Sequence, residues 1–445
     1  MNDYSQGPVG WQAIAAVLIY GAAYIGIITE RWNRSYIALG GAILMLIIGA
    51  VPFHLAMASF ARWDTLIWMT SLFIIAIGFQ RTGMMSYLAA ALIRKNRIKP
   101  LTILFGVSML TAIGSAFVDS VVMILIIVPI MLNTAKLLKL SPVPFMLSIV
   151  LSANLGGAST AIGSVTNRFV GEAAGFTFWQ MLRTLGPLMA LLLVIVYAAL
   201  WMIYGRSLVV PEANRREVLA IQPAELLGDR LQVIGGSLIL LLFLIAEMLQ
   251  GVLGWRGAYI ALAGAAAFIL LNYSWILTTV RTRDYRLALQ GILESQFLYF
   301  FGLFVMTGGL VYAGVTGLLA VKSMELSQGS IPFLSIILVG ITGVGSAMID
   351  HVPFAVAMVP TIHDIAELAK ISEMGPATSL WWSLMIGGAV GGGATLLGST
   401  AGMLAGGLAM QGQSGFSQRD YLKFALPVSV VLFIVAACYI RIVIT

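Results

Sequence analysis

Charged residues are scarce in this sequence. They make up 10% of its 445 residues, where a soluble domain carries roughly a quarter. So few charges cannot cover a water-facing surface, and a soluble globular fold is excluded. Cysteine is almost absent: the single Cys438 excludes an intramolecular disulfide framework and any cysteine cluster for metal. The three histidines, His54, His351 and His363, fall at no metal-ligand spacing. There is no Gly-x-x-x-x-Gly-Lys-Ser/Thr phosphate loop, which removes an ATP-driven pump. Gly156–Ser164 resembles such a cradle only superficially, since no strand precedes it and no lysine follows. The net charge of +7 comes without an interleaved basic and aromatic patch, so nucleic acid is not an expected partner. No cofactor is expected either. The N-terminal Met1-Asn2-Asp3-Tyr4 has no basic region and no small-residue cleavage site follows the first apolar run, so that run is expected to be a retained helix.

What the sequence has is long apolar runs: Trp11–Ile28, Tyr36–Phe53, Leu185–Tyr204, Leu231–Leu249, Ala258–Leu271 and Tyr421–Val443. A helix needs roughly 20 mostly apolar residues to cross a bilayer, and lipid forbids open sheets. The lipid bilayer is therefore the first partner. The basic residues cluster as Arg31/Arg34, Arg94/Lys95/Arg97/Lys99, Lys136/Lys139, Arg206/Arg215/Arg216/Arg230 and Arg281/Arg283/Arg286. Placing these clusters in the cytoplasm gives roughly ten spans with both termini outside, in a membrane of the bacterial inner type. The same path makes Pro100–Leu140 enter and leave on one side, as a re-entrant hairpin.

The chain also repeats itself. Ser35-Tyr-Ile-Ala-Leu-Gly-Gly-Ala42 recurs as Ala258-Tyr-Ile-Ala-Leu-Ala-Gly-Ala265. At an offset of 231, Leu72-Phe73, Gly78 and Gly83 recur as Leu303-Phe304, Gly309 and Gly314. So does Gly114-Ser-Ala-Phe-Val-Asp-Ser-Val121, as Gly345-Ser-Ala-Met-Ile-Asp-His-Val352. Gly156–Ser164 pairs with Gly391–Ser399, and Phe176, Leu182 and Pro187 with Phe416, Leu422 and Pro427. The predicted fold is an all-α polytopic membrane protein of two inverted repeats, each with about five spanning helices, a re-entrant hairpin and a discontinuous helix. The first repeat is 1–205, with hairpin 101–137 and broken helix 143–175. A cytoplasmic linker, 206–230, leads to the second repeat, 231–445, with hairpin 331–366 and broken helix 380–410.

Asp119 and Asp350 sit inside long apolar stretches at matched positions. An ionisable group at membrane depth costs at least ~2.5–3.5 kcal/mol, which points to function. The structural alternative is a protonated aspartate capping a helix at the hairpin tip. Gly114-Ser115 and Asp119-Ser120 suit a turn that exposes helix ends, and Ser346, Asp350 and His351 lie alike. His351 either relays protons or is a neutral imidazole bonded to backbone. The glycine-rich stretches Asn154–Asn167 and Gly387–Gly402 allow a helix to unwind, presenting carbonyls to a cation and N–H groups to an anion. Close packing through small residues is the alternative; two such stretches in matched positions favour broken helices. The candidate ligands there are Asn154, Ser159, Thr160, Ser164, Thr166 and Asn167, then Thr395, Ser399 and Thr400. Ala389 and Gly402 replace Asn154 and Asn167 in the second half, so sodium is expected near Asp119, Asn154 and Asn167. Arg168 and Glu172 are expected at the outer interface with no binding role.

The hairpin with Ser-Ala-x-x-Asp-x-Val, then Asn-x-Gly-Gly-x-x-Thr-x-Ile-Gly and a later Asn, resembles the ion transporter superfamily. The likeness is greatest to the arsenite permease and P-protein branch, which is citrate-transporter-like. It extends over nearly the whole chain and implies hairpin tips meeting broken helices, a scaffold-and-transport arrangement and often a homodimer. Asp119 with Ser120 and Asp350 with His351 match the tips; Thr160, Gly163 and Asn167, then Thr395 and Gly398, match the broken helices. Many relatives have Asn after the hairpin aspartate, and Gly-Asp-Pro-Pro-Asn where this chain reads Gly163-Ser-Val-Thr-Asn167. Relatives handle arsenite, sodium against protons, and carboxylates, so the resemblance alone does not select a substrate.

The expected function is secondary active transport of a small inorganic ion, arsenite-like or of the Na+/H+ type, coupled to protons or sodium by alternating access. Asp119 would take the coupling ion, with Asp350 and His351 as counterpart. Two acids at membrane depth with no fixed basic group nearby argue for cation or proton handling. A citrate or dicarboxylate carrier is the alternative, and an ion channel the reading from a different class. No nucleophile–base pair points to an enzyme, the nearest approach being His351 beside Asp350.

Overall fold

Long apolar runs become helices because an internally bonded backbone is what lipid tolerates. The computed structural model describes residues 10–29, 32–95, 99–206, 208, 222–273, 291–348, 350–370, 378–411 and 416–444. In the first half these are α1 (Trp11–Thr29), α2 (Arg34–Ile47), α3 (Trp63–Gln80), α4 (Met84–Lys95), α5 (Pro100–Val118) and α6 (Ser120–Leu137). They continue as α7 (Val143–Gly157), α8 (Val165–Ala174) and α9 (Phe178–Tyr204). The second half holds α10 (Arg230–Leu253), α11 (Gly257–Leu271), α12 (Gly291–Tyr312), α13 (Val315–Leu326), α14 (Ile331–Met348) and α15 (His351–Leu368). It closes with α16 (Thr378–Ala394), α17 (Thr400–Gln411) and α18 (Gln418–Tyr439). No strand occurs among the described residues.

Local chemistry sets the boundaries. Pro100 stands in the first turn of α5, where its missing N–H costs nothing. A capping box of Thr177 and Gln180 starts α9, and Gly175 and Gly254, at φ 70° and 67°, end α8 and α10. Gly83 and Gly314, paired by the sequence register, take φ 67° and 72°, a region L side chains avoid.

Among the described residues, seven helices are long and apolar enough to cross a membrane, and α12 with α13, bent by 69°, makes an eighth. Fewer elements pass than the roughly ten spans expected from loop charge, because turns and glycine-rich breaks cut several apolar runs to shorter helices such as α2, α7 and α11. The outer surface is apolar: α1 exposes Ile14, Leu18 and Ile25, and α18 exposes Val430, Val431 and Ile434. Such faces suit lipid and would aggregate in water; the chain is an integral membrane protein. Arg31, Arg97, Arg215, Arg216, Arg281, Arg283, Arg286 and most of the 206–230 linker lie outside the described residues. The linker's described end is docked, with the Gly228 N–H donating to the Thr82 carbonyl at 3.0 Å.

Packing is reciprocal between matched elements. α5 lies on α7 as α14 lies on α16, and α2 packs on α12 as α11 packs on α3. α6 meets α17, α15 meets α8, and α7 meets α16 directly. Two glycines permit the closest of these approaches: a Cβ at Gly156 would run into the Ala112 backbone, and one at Gly391 into the Gly343 backbone. Between α7 and α8 the helix is interrupted at 158–164, and between α16 and α17 at 395–399. Each interruption is pinned by a threonine. The Thr160 hydroxyl donates to the Ala116 carbonyl at 2.5 Å and accepts from the N–H groups of Ile162 (3.2 Å) and Gly163 (3.1 Å). Thr395 donates to the Ala347 carbonyl at 2.6 Å and accepts from the Gly398 N–H at 2.9 Å.

Two stability outcomes follow. Gly156→Ala forces α5 and α7 apart and should cost about 1–3 kcal/mol, read as a lower Tm in detergent, whereas Gly40→Ala, with nothing within 4 Å of the added carbon, should leave Tm unchanged. Thr160→Val removes a hydroxyl that satisfies three backbone groups and should cost about 1–3 kcal/mol in the same assay.

Candidate functional site

The two aspartates are helix caps. Asp119 stands alone between α5 and α6 at φ 99°, ψ 140°, and its Oδ1 accepts from the Val121 N–H at 2.8 Å. Asp350 precedes α15, its Oδ1 accepting from the Val352 N–H at 3.2 Å and its Oδ2 from the Thr400 hydroxyl. A non-glycine residue at such a φ costs on the order of 1–3 kcal/mol, which the cap helps offset. The turn is made by Asp119 alone. Gly114-Ser115, expected to share it, lie inside α5, because nothing interrupts that helix before Val118.

Asparagines hold the first break. The Asn167 Nδ2 donates to the carbonyls of Ala158 (2.6 Å) and Thr160 (3.2 Å), which the unwound backbone leaves without helical partners. The Asn154 Nδ2 donates across the halves to the Gly392 carbonyl at 3.4 Å. With both nitrogens committed, the amide oxygens remain for a ligand. Between these groups lies a cavity of about 20 Å³, lined on its polar side by Ser120, Asn154, Ser164, Thr166, Asn167 and His351. Gly388, Ala389 and Gly392 of α16 form its other wall. The volume admits one water-sized species. The Thr166 hydroxyl is buried and has no hydrogen-bond partner. The C-terminal end of α7, carrying partial negative charge, meets the cavity at Ala158.

The cavity lies where the halves meet, since the matched pairs Ser120/His351 and Asn154/Ala389 both line it. Six of the predicted ligands come together there; Asp119, Ser159, Thr160, Asp350, Thr395, Ser399 and Thr400 do not line it. Ser159 bonds the Gly156 carbonyl at 2.6 Å, and Ser399 accepts from the Gly402 N–H at 3.0 Å. These two and both threonines at 160 and 395 hold the breaks rather than face the cavity. His351 connects the two regions. Its Nδ1 lies 3.2 Å from the Gly398 carbonyl and 3.4 Å from Asp350 Oδ1; two acceptors place the hydrogen on Nδ1.

One electrostatic expectation is corrected. Asp350 does have a fixed cation nearby: Arg34 Nη1 is 3.9 Å from its Oδ2, because the long side chain reaches in from the first turn of α2 over the Tyr299 ring. Arg168 borders an open cavity beside Asp64 and Glu172 but turns its side chain inward. It is buried against Glu247, Nη1 to Oε2 at 3.1 Å, with its guanidinium 4.8 Å above the Trp68 ring, and Trp68 Nε1 donates to Glu247 Oε1 at 2.9 Å. Glu247 carries a sequence signal that was readable, a lone carboxylate within the apolar run Leu231–Leu249. Arg34 carried none, since it reads as one of a loop pair.

Comparison with known proteins fits this architecture. The profile of the CitMHS family, described as citrate transporter, matches residues 24–387 and also 258–445. The uncharacterized transporter Rv2684 of Mycobacterium tuberculosis is 29% identical over 433 residues, covering 96% of this chain and 98% of that protein. The human P protein is 24% identical over 531 residues, covering 99% of this chain and 61% of its own length. In fold, the chain is similar to the crystal structure of the Alcanivorax borkumensis YdaH transporter, said to have an unusual topology, with a TM-score of 0.57 and 15% identity over 98% of each chain. The chain is a membrane transporter rather than an enzyme, and it belongs to the CitMHS citrate transporter family of the ion transporter superfamily.

Proposed function

We propose that the protein is a secondary active transporter of a small inorganic ion, coupled to sodium or protons, and that the cavity between Asn154, Asn167, Ser120 and His351 holds the coupling ion. The carrying observation is the cavity itself: about 20 Å³, with Ser120, Asn154, Ser164, Thr166 and Asn167 on its polar side and Met385, Gly388, Ala389 and Gly392 on the other. Hydroxyls, amide oxygens and helix-end carbonyls replace the hydration shell of a monovalent cation, and one stripped sodium ion fills that space. His351 Nε2 offers a proton route in the same place. Asp119, Ser120 and Asn167 act together in this reading, with the Asp119 cap fixing the α6 N-terminus that carries Ser120. The halves are taken as inverted copies, each hairpin re-entrant, and alternating access as movement of hairpins and broken helices against the remaining helices. Reciprocal packing of matched helices supports that arrangement.

The test is uptake into proteoliposomes with an internal pH dye, with sodium and proton gradients imposed separately. Wild type should respond to at least one gradient. Asn167→Ala removes a ligand and should raise the coupling-ion concentration for half-maximal flux about tenfold or more, the equivalent of ~1.4 kcal/mol. Asp119→Asn, which keeps a capping oxygen, should weaken coupling less than Asn167→Ala. Equal coupling in wild type and Asn167→Ala would remove the cavity from the mechanism.

A citrate or dicarboxylate carrier is the second reading. The family description and Arg34 beside the Asp350 tip favour it, since a carboxylate wants a guanidinium. Saturable citrate uptake in the same vesicles, abolished by Arg34→Gln, is its expected result; uptake of sodium or arsenite without citrate is the expected result of the first.

A further inference from the structure

The sequence register lays two arginine clusters over one another. Trp68 of α3 is matched to Tyr299 of α12, and Glu247 of α10 to Tyr24 of α1. Arg34 of α2 is matched to Gly257 of α11. A guanidinium stands over the aromatic ring in both places: Arg168 at 4.8 Å from the Trp68 ring centroid and Arg34 at 5.0 Å from that of Tyr299. The two arginines come from different elements. Where the second half would place its counterpart of Arg34 it has Gly257, and any Cβ there would collide with the Arg168 guanidinium. One half therefore fills the position from α2, and the other from the broken helix.

Each cation joins the same two kinds of element. Arg168, on α8, binds Glu247 of α10 and lies 3.5 Å from Gln250 Oε1. Arg34, on α2, binds Asp350 at the hairpin tip. Both ion pairs thus cross from the hairpins and broken helices to the surrounding helices. Arg168 directly follows Asn167 of the cavity, and Asp350 directly precedes His351 of the cavity. The pairs are unequal here: the first is 3.1 Å and buried, the second 3.9 Å with Arg34 partly exposed. A long pair beside a short one is what an intermediate or end state with one fastening loosened would give.

We infer that Arg168–Glu247 and Arg34–Asp350 are positioning pairs that fasten the cavity-bearing elements to the rest of the protein, one toward each membrane face, and that they are released in turn during transport. This rests on the alternating-access reading above. Neutralising one partner leaves the other charge buried without compensation, so each neutral variant should favour the state in which its own pair is open.

The test uses Ser164→Cys as a reporter in the cavity, with Cys438→Ser, and a membrane-impermeant maleimide applied to right-side-out and inverted vesicles. Glu247→Gln should change the ratio of labelling from the two faces by about tenfold, a population shift within the reach of one ion pair. Arg34→Gln should shift it about as far in the opposite direction, and the double variant should return near the parent ratio. Arg168→Lys and Arg34→Lys keep the charge and should label like the parent. Shifts toward the same face, no shift, or lysine variants that behave like neutral ones would overturn the inference. If either neutral variant fails to fold, the lysine variants and the remaining one still decide. A parent whose cavity labels from one face only, under every imposed gradient, would instead count against alternating access itself.

Discussion

A helix that stops inside a membrane exposes N–H and C=O groups that lipid cannot satisfy, each at a cost of several kcal/mol. Everything at the centre of this protein answers that constraint. Thr160 and Thr395 return their hydroxyls to the hairpins and cover the amides of the breaks. Asn167 covers two carbonyls, and Asp119 and Asp350 cap the N-termini of α6 and α15. Beside these groups lies a cavity of about 20 Å³ with Ser120, Asn154, Ser164, Thr166 and Asn167 on its polar side.

The two halves meet that constraint in the same way at matched positions, with Thr160 and Thr395 bonding the Ala116 and Ala347 carbonyls, and differ elsewhere. The scaffold of the breaks is shared, down to glycines that bring Ala112 and Gly343 against α7 and α16. Ligand chemistry is not. Asn154 and Asn167 belong to the first half, whereas the second contributes His351 and the small residues Gly388, Ala389 and Gly392 that leave room beside them. Charge diverged likewise, with a buried pair to Glu247 on one side and a longer pair to Asp350 on the other.

Most of this was legible in the sequence where a feature is local. Apolar runs and the glycine-rich breaks follow from composition and conformational preference, whereas limits such as the end of α2 at Ile47, inside the run Tyr36–Phe53, depend on turns further along the chain. Asn154 and Asn167 stand out in the sequence because they flank a glycine-rich break between apolar stretches, and both line the cavity. Asp119 reads in the sequence both as a ligand and as a cap, because a carboxylate at the end of an apolar helix signals either, and the structure shows the cap. The arginines were under-read, because side-chain reach is not a local property. Arg34 extends from a helix start to a hairpin tip of the other half, and Arg168 turns inward to a carboxylate 79 residues away.

The most direct measurement is the thermal stability of the purified protein as sodium is titrated against choline at constant ionic strength. A ligand that binds only the folded state stabilises it by RT ln(1 + [L]/Kd). The cavity account predicts a saturable rise in Tm with sodium that Asn154→Ala and Asn167→Ala abolish. A Tm that is the same in both salts, or a rise that survives in those variants, would contradict it.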